Sequence, residues 1–173
     1  MTAPWRPPGS SASRPPDGAP AMVRTEIRVI YGDTDRMGIV YYANYLRYFE
    51  AGRTEFLRAK GLSYRDFEER ARLLLPVTEA GVTYHAPARY DDLLGVETFL
   101  TEVRRASARF GYRVTRGAER LVSGHTVHAC VDLEGRIQRM PRELLDRLLA
   151  GEEGVIPAGE RAAPGPDRPA RQP

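Results

Sequence analysis

The sequence predicts an α+β domain in which an antiparallel sheet wraps around one long central helix, flanked by disordered termini. Three observations predict it. Of 14 prolines in 173 residues, only Pro76, Pro87 and Pro141 lie between residues 23 and 150. One segment, from about Tyr42 to Lys60, carries its apolar residues at helical spacing. After it come four long strand-like segments separated by short breaks, which favours antiparallel neighbours because parallel crossovers need about a dozen residues or more.

Residues 1–22 are mostly Pro, Gly, Ser and Ala, and residues 151–173 have the same character. Neither end holds enough apolar surface to offset its ordering entropy, so both are expected to be disordered tails on a domain spanning 23–150. Arg24–Tyr31 alternates loosely and reads as a first strand. Gly32–Gly38 is dense in turn formers and breaks it. In the helix that follows, Tyr45, Phe49 and Phe56 recur with Leu46, Leu57 and Ala59; Asn44 is a candidate cap and Gly61 a C-terminal stop. The helix is apolar on more than one side, the mark of a helix that is wrapped. Leu62–Arg72 reads as a connector with a short helical turn.

Leu74–Pro87, Asp92–Arg104, Ala108–Arg116 and Arg120–Leu133 are the four strands. Ala108, Phe110, Tyr112 and Val114 alternate with Arg109, Gly111, Arg113 and Thr115, which implies one covered face. A short strand at Arg136–Arg139 precedes a last helix, with Pro141 at its first position and Leu144, Leu145, Leu148 and Leu149 on its apolar side.

Composition excludes several classes. A single Cys rules out a disulfide framework and a Cys-based zinc cage. No apolar run reaches the ~18 residues of a membrane span, and the N-terminal segment has no apolar signal core, so a cytoplasmic location is expected. The net charge of +3 is too mild for a nucleic-acid footprint. His125 and His128 would point to opposite faces of one strand, so no metal spacing is present, and Cys130 reads as a small core residue. There is no Gly-x-Ser-x-Gly elbow and no Gly-rich phosphate loop.

The segment with chemical potential is Tyr31–Tyr45, where Asp33 and Asp35 sit in a Gly-bounded loop between a strand and the main helix. A carboxylate beside the free N–H groups of a helix N-terminus suits attack on a polarised carbonyl, as base or nucleophile, with the N–H groups holding the oxyanion. The residues alone favour the plainer reading, in which both carboxylates make turn or capping bonds.

Tyr31, Asp33, Asp35, Gly38, Ile39-Val40, Tyr41, Tyr42 and Asn44-Tyr45 fall in an ordered pattern. Arg53-Thr54-Glu55 and Tyr84–Asp92 extend it. In these motifs the chain, from about Ile27 to Leu148, resembles the hot-dog-fold acyl-CoA thioesterases of the 4-hydroxybenzoyl-CoA thioesterase-like, YbgC-type family. The resemblance implies a hot-dog fold and hydrolysis of an acyl- or aryl-CoA thioester to free acid and CoA. It implies Asp35 as base or nucleophile and the backbone N–H near Tyr42 as oxyanion donor. Many relatives carry His where this chain has Tyr42, so any acid–base help from that side chain is absent here.

Asp33 is expected to shape the loop. Tyr31 and Gly38 are expected at the substrate. Arg104 and Arg105 resemble an arginine pair used against CoA phosphates, with Arg136 and Arg139 as further candidates. The resemblance further implies no metal and no cofactor beyond the CoA of the substrate, and a homodimer or homotetramer. The alternatives are a hot-dog acyl-CoA hydratase and a non-catalytic acyl-CoA-binding protein.

Overall fold

The computed structural model describes residues 22–62, 64–151 and 156–157. Most of the two expected tails, residues 1–21, 152–155 and 158–173, lies outside the described residues. Two pieces of them do not. Met22 opens the described part of the chain and lies in β1 (Met22–Arg28), paired with Phe99 of the long neighbouring strand. Ile156–Pro157, the last described piece, lies parallel to Glu102 and Val103.

After β1 come a 3₁₀ turn (Tyr31–Asp33) and the long helix α1 (Asn44–Ala59). A shorter helix, α2 (Tyr64–Ala71), occupies the expected connector. The strands are β2 (Leu73–Leu74), β3 (Val77–Tyr84), β4 (Leu93–Arg104), β5 (Ser107–Arg116), β6 (Glu119–Ala129) and β7 (Val131–Asp132). Helix α3 (Arg142–Leu149) follows. The main sheet runs β1-β4-β5-β6-β3 with these five strands antiparallel to their neighbours, Ile156–Pro157 adding a short parallel pairing to β4, and α1 against one face: the hot-dog arrangement.

Four local expectations are corrected. The segment Leu74–Pro87 splits into β2 and β3 at Pro76, which has no N–H to give a ladder. Arg120–Leu133 splits at Cys130, whose N–H turns to Ala106 O at 2.8 Å. The short strand at Arg136–Arg139 reduces to a single bridge between Val131 and Ile137. Pro141 is the residue before α3 rather than its first.

The core is the α1–sheet interface. Phe49 lies stacked on Tyr112 with ring centroids 4.3 Å apart, and Phe56 meets Phe110 edge-on at 5.7 Å. Gly52 permits this approach: a Cβ there would fall 2.4 Å from Thr98 Oγ1 and 2.9 Å from Val96 Cγ1. At the far end of α1, Gly61 adopts φ +70° and donates to Arg58 O, while Leu62 N donates to Leu57 O, a Schellman stop. Arg147 of α3 donates to Gly61 O at 2.8 Å and Lys60 to Ala150 O at 2.6 Å, so each helix end receives a cation from the other.

Candidate active site

The loop between β1 and α1 is a tight hairpin. Thr34 bridges Val40, Asp35 N donates to Ile39 O and Gly38 N to Asp35 O, both at 2.9 Å. Gly38 sits at φ +72°, a conformation that suits Gly, so its role is to turn the hairpin. The hairpin is fixed to the β3–β4 connection through Val40 N to Ala88 O at 2.9 Å.

Asp33 and Asp35, two residues apart, have opposite surroundings. Asp33 is buried, at 4% exposure. Its carboxylate accepts from Tyr48 OH at 2.9 Å, from Arg47 at 3.4 Å and from Ile30 N at 3.4 Å. Its carbonyl accepts from Asn44 Nδ2 at 2.8 Å and from Tyr41 N at 2.9 Å. Asn44 is therefore a loop tether, and Ala43, not Asn44, precedes the helix. Asp35 is half-buried, and its Oδ1 accepts from Met37 N at 2.8 Å, an Asx turn that leaves Oδ2 without a protein partner among the described residues.

Asp35 borders a cleft of about 330 Å³. Met37, Ile39 and Tyr42 of the hairpin and its exit line it, together with Tyr45 of α1 and Tyr84, His85, Ala86 and Pro87 from the end of β3 and beyond. The polar tips of the wall tyrosines are engaged. Tyr84 OH donates to Tyr42 O at 3.0 Å, and Tyr45 OH accepts from Ala88 N at 3.2 Å. Burial raises the pKa of both phenols, and that of Tyr48 further, with Asp33 adding to the effect; all three are neutral at physiological pH. What the cleft offers a ligand is an apolar, aromatic surface with one carboxylate oxygen at its edge.

At the same edge α1 begins. Asn44 N donates to Tyr41 O at 2.9 Å, whereas the N–H groups of Tyr42 and Ala43 donate to no protein atom among the described residues. A free carboxylate oxygen and the free N–H of Tyr42, just ahead of α1, thus belong to residues that border one largely apolar cleft, a constellation for attack on a carbonyl with oxyanion support.

The remaining expected residues are sorted by the fold. Tyr31 does not line the cleft; it is 81% exposed with its ring edge-on to Tyr90 at 6.1 Å, because the 3₁₀ turn that buries Asp33 rotates it outward. Arg104, Arg105, Arg136 and Arg139 are all exposed. They gather at the opposite end of β4, where Met140 N donates to Arg105 O and Arg104 Nε pairs with Glu102 at 2.5 Å. β4 has 12 residues, so at roughly 3.3 Å each its two ends lie about 35 Å apart along the strand, and none of these arginines lines the cleft. Within one chain these arginines do not meet Asp35.

Of the histidines, His85 lines the cleft, with its Nε2 2.8 Å from Ser123 Oγ, whereas His125 pairs with Glu79 and His128 is fully buried, and neither of these two lines it. The wall residues Tyr45 and Tyr84 and the buried Tyr48 were not singled out by sequence as site residues. The one signal for Tyr48 is its position three residues after Tyr45, on the same helix face.

Comparisons with known proteins converge. A family model described as the thioesterase-like superfamily matches residues 29–148. The acyl-CoA thioesterase YbgC of Haemophilus influenzae is 40% identical over 107 residues, covering 62% of this chain and 79% of that protein. The acyl-CoA thioester hydrolase YbgC of Escherichia coli is 33% identical over 130 residues, covering 72% and 93%. Among solved structures, the hypothetical protein TT1821 of Thermus thermophilus superimposes with a TM-score of 0.71 at 37% identity, covering 75% of this chain and 96% of that one.

Proposed function

The chain belongs to the thioesterase-like superfamily and is a thioester hydrolase, and from that premise we propose that it cleaves acyl-CoA thioesters at the cleft beside Asp35. The observation that carries this reading is that Asp35, with a free Oδ2, and Tyr42, with an unpartnered N–H, border the same largely apolar cleft. The acyl group lies against Tyr42, Tyr45 and Tyr84. The thioester carbonyl points its oxygen at the Tyr42 N–H, which strengthens its bond as negative charge develops. Asp35 Oδ2 supplies the attack, either by taking a proton from water or by bonding to the carbonyl carbon itself. The C–S bond breaks and CoA leaves as the thiolate, which takes up a proton. In the general-base route the acyl group leaves directly as the free acid; in the nucleophilic route it is left as a mixed anhydride with Asp35 that water cleaves to the free acid and the regenerated carboxylate.

Asp35→Asn keeps the Oδ1 acceptor for Met37 and removes the charge. It is expected to lower kcat by at least about a hundredfold in a thiol-trapping assay, with an unchanged melting temperature. Wild-type turnover by Asp35→Asn over a panel of aryl and aliphatic CoA thioesters would overturn the assignment. Single turnover in ¹⁸O-water separates the two routes, since only the nucleophilic one places label in the Asp35 carboxyl group.

The same reading includes a second subunit. Within the chain β3 pairs only with β6, leaving one of its edges open among the described residues. A second copy pairing there would bring another set of Arg104, Arg105, Arg136 and Arg139 into the assembly, and these guanidinium groups suit the phosphates of CoA. Light scattering is expected to show a dimer or tetramer at micromolar concentration.

A further inference from the structure

Tyr48 is buried at 4% exposure and its hydroxyl donates to Asp33 Oδ2 at 2.9 Å. Its ring meets Tyr45, which lines the cleft, edge-on with centroids 5.7 Å apart. Asp33, the group it holds, does not reach the cleft. Through its backbone, however, Asp33 fixes both ends of the hairpin that carries Asp35. Asp33 N closes the 3₁₀ turn onto Ile30 O at 3.0 Å, and Asp33 O takes Tyr41 N at 2.9 Å and Asn44 Nδ2 at 2.8 Å.

The hairpin therefore has two anchors on α1, Tyr48 through the Asp33 carboxylate and Asn44 through the Asp33 carbonyl. It has one anchor on the β3–β4 connection, at Ala88. Of the donors to the carboxylate, Arg47 is 68% exposed and stands at 3.4 Å, so water competes for it. The Tyr48 hydroxyl is the shortest and the best shielded.

We propose that Tyr48, acting through Asp33, is a positioning residue that sets the Asp35 carboxylate against the Tyr42 N–H. The proposal rests on the reading of Asp35 given above. Reacting groups must be held to within a fraction of an ångström, and misplacement by 1 Å costs up to about a hundredfold in rate without any loss of ligand contact. Loss of the Tyr48 hydroxyl leaves Asp33 with weaker donors and frees the hairpin to shift on α1. The apolar cleft walls that bind the acyl group stay in place.

The test is a cycle on the full-length chain, with acyl-CoA hydrolysis followed well below the melting temperature. Tyr48→Phe is expected to lower kcat roughly tenfold with KM changed less than about twofold. In the Asp35→Asn background the same substitution is expected to change the residual kcat by less than about twofold, because a group that acts only by placing Asp35 has nothing left to place. Asn44→Ala, which removes the other α1 anchor, is expected to show the same dependence on Asp35 and serves if Tyr48→Phe fails to fold.

Equal losses with and without Asp35 would show a merely structural role and overturn the proposal. So would a loss confined to KM. Wild-type turnover by Asp35→Asn would instead refute the Asp35 assignment itself, and the positioning role with it.

Discussion

His128 makes a prediction whose size follows from its surroundings. The side chain is fully buried; Nδ1 is 2.9 Å from Leu75 O and Nε2 2.9 Å from Thr126 Oγ1, which is itself 2.7 Å from Tyr112 OH. Since Leu75 O only accepts, Nδ1 carries the proton, Thr126 donates to Nε2, and Tyr112 donates to Thr126. A second proton on the imidazole would reverse that chain beside Arg53. Burial first, and the charge of Arg53 after it, lower the His128 pKa from 6.5 to about 4, although the Leu75 carbonyl opposes them.

The unfolded chain therefore binds a proton that the folded one refuses between these two values. The stabilisation is complete above pH 6.5, falls as pH falls, and is gone below about pH 4. At about 1.4 kcal/mol per pH unit, the gap corresponds to about 3 kcal/mol. Urea unfolding from pH 7 to about pH 4 on wild type and His128→Gln reads it. The variant is expected to be less stable at pH 7 but to lose about 3 kcal/mol less over that range, with carboxylate contributions cancelling in the difference. Parallel loss by the two proteins would refute the reasoning.

Other perturbations have comparably direct expectations. Gly52→Ala places a methyl 2.4 Å from the buried Thr98 hydroxyl, and overpacking of about 1–3 kcal/mol should exceed the helix-propensity gain of about 1 kcal/mol, lowering the melting temperature. Phe49→Ala removes a fully buried ring stacked on Tyr112 and should cost about 3–5 kcal/mol in urea unfolding. Arg105→Ala combined with Arg139→Ala should raise KM for an acyl-CoA roughly tenfold and leave the corresponding acyl-pantetheine, which lacks the nucleotide phosphates, unchanged.

Much of the fold is legible because local chemistry and tertiary structure agree. The alternation of Ala108, Phe110, Tyr112 and Val114 is the buried face of β5, and Gly61 ends α1 as its position demands. Legibility fails where a residue's partner is distant in sequence. Asn44 looks like a helix cap by type and place, yet its amide is taken by the carbonyl of Asp33, eleven positions earlier. Tyr31 stands in the motif beside the two aspartates, but a 3₁₀ turn, which adjacency does not reveal, turns it to solvent. Tyr48 is not singled out by the sequence because its hydroxyl finds a use only once the loop has folded back onto α1. Arg104 and Arg105 are legible as a pair, but that Arg139 comes beside them follows only from the fold, where Met140 N closes onto Arg105 O.

Asp33 and Asp35 show how one residue type comes to serve two purposes within a single loop. Their spacing of two would place them on one face of a strand, in like surroundings. The chain avoids this by changing conformation between them. Asp33 closes a 3₁₀ turn, which carries its carboxylate inward to Tyr48, while Thr34 is extended and pairs with Val40, so that Asp35 opens the hairpin at the cleft. The buried carboxylate is surrounded by three donors and has little room to react. The other has a single backbone donor and one free oxygen. A substitution that exchanged these surroundings would be expected to abolish hydrolysis with both carboxylates still present, since reactivity here follows from which oxygen is left unbonded at the cleft.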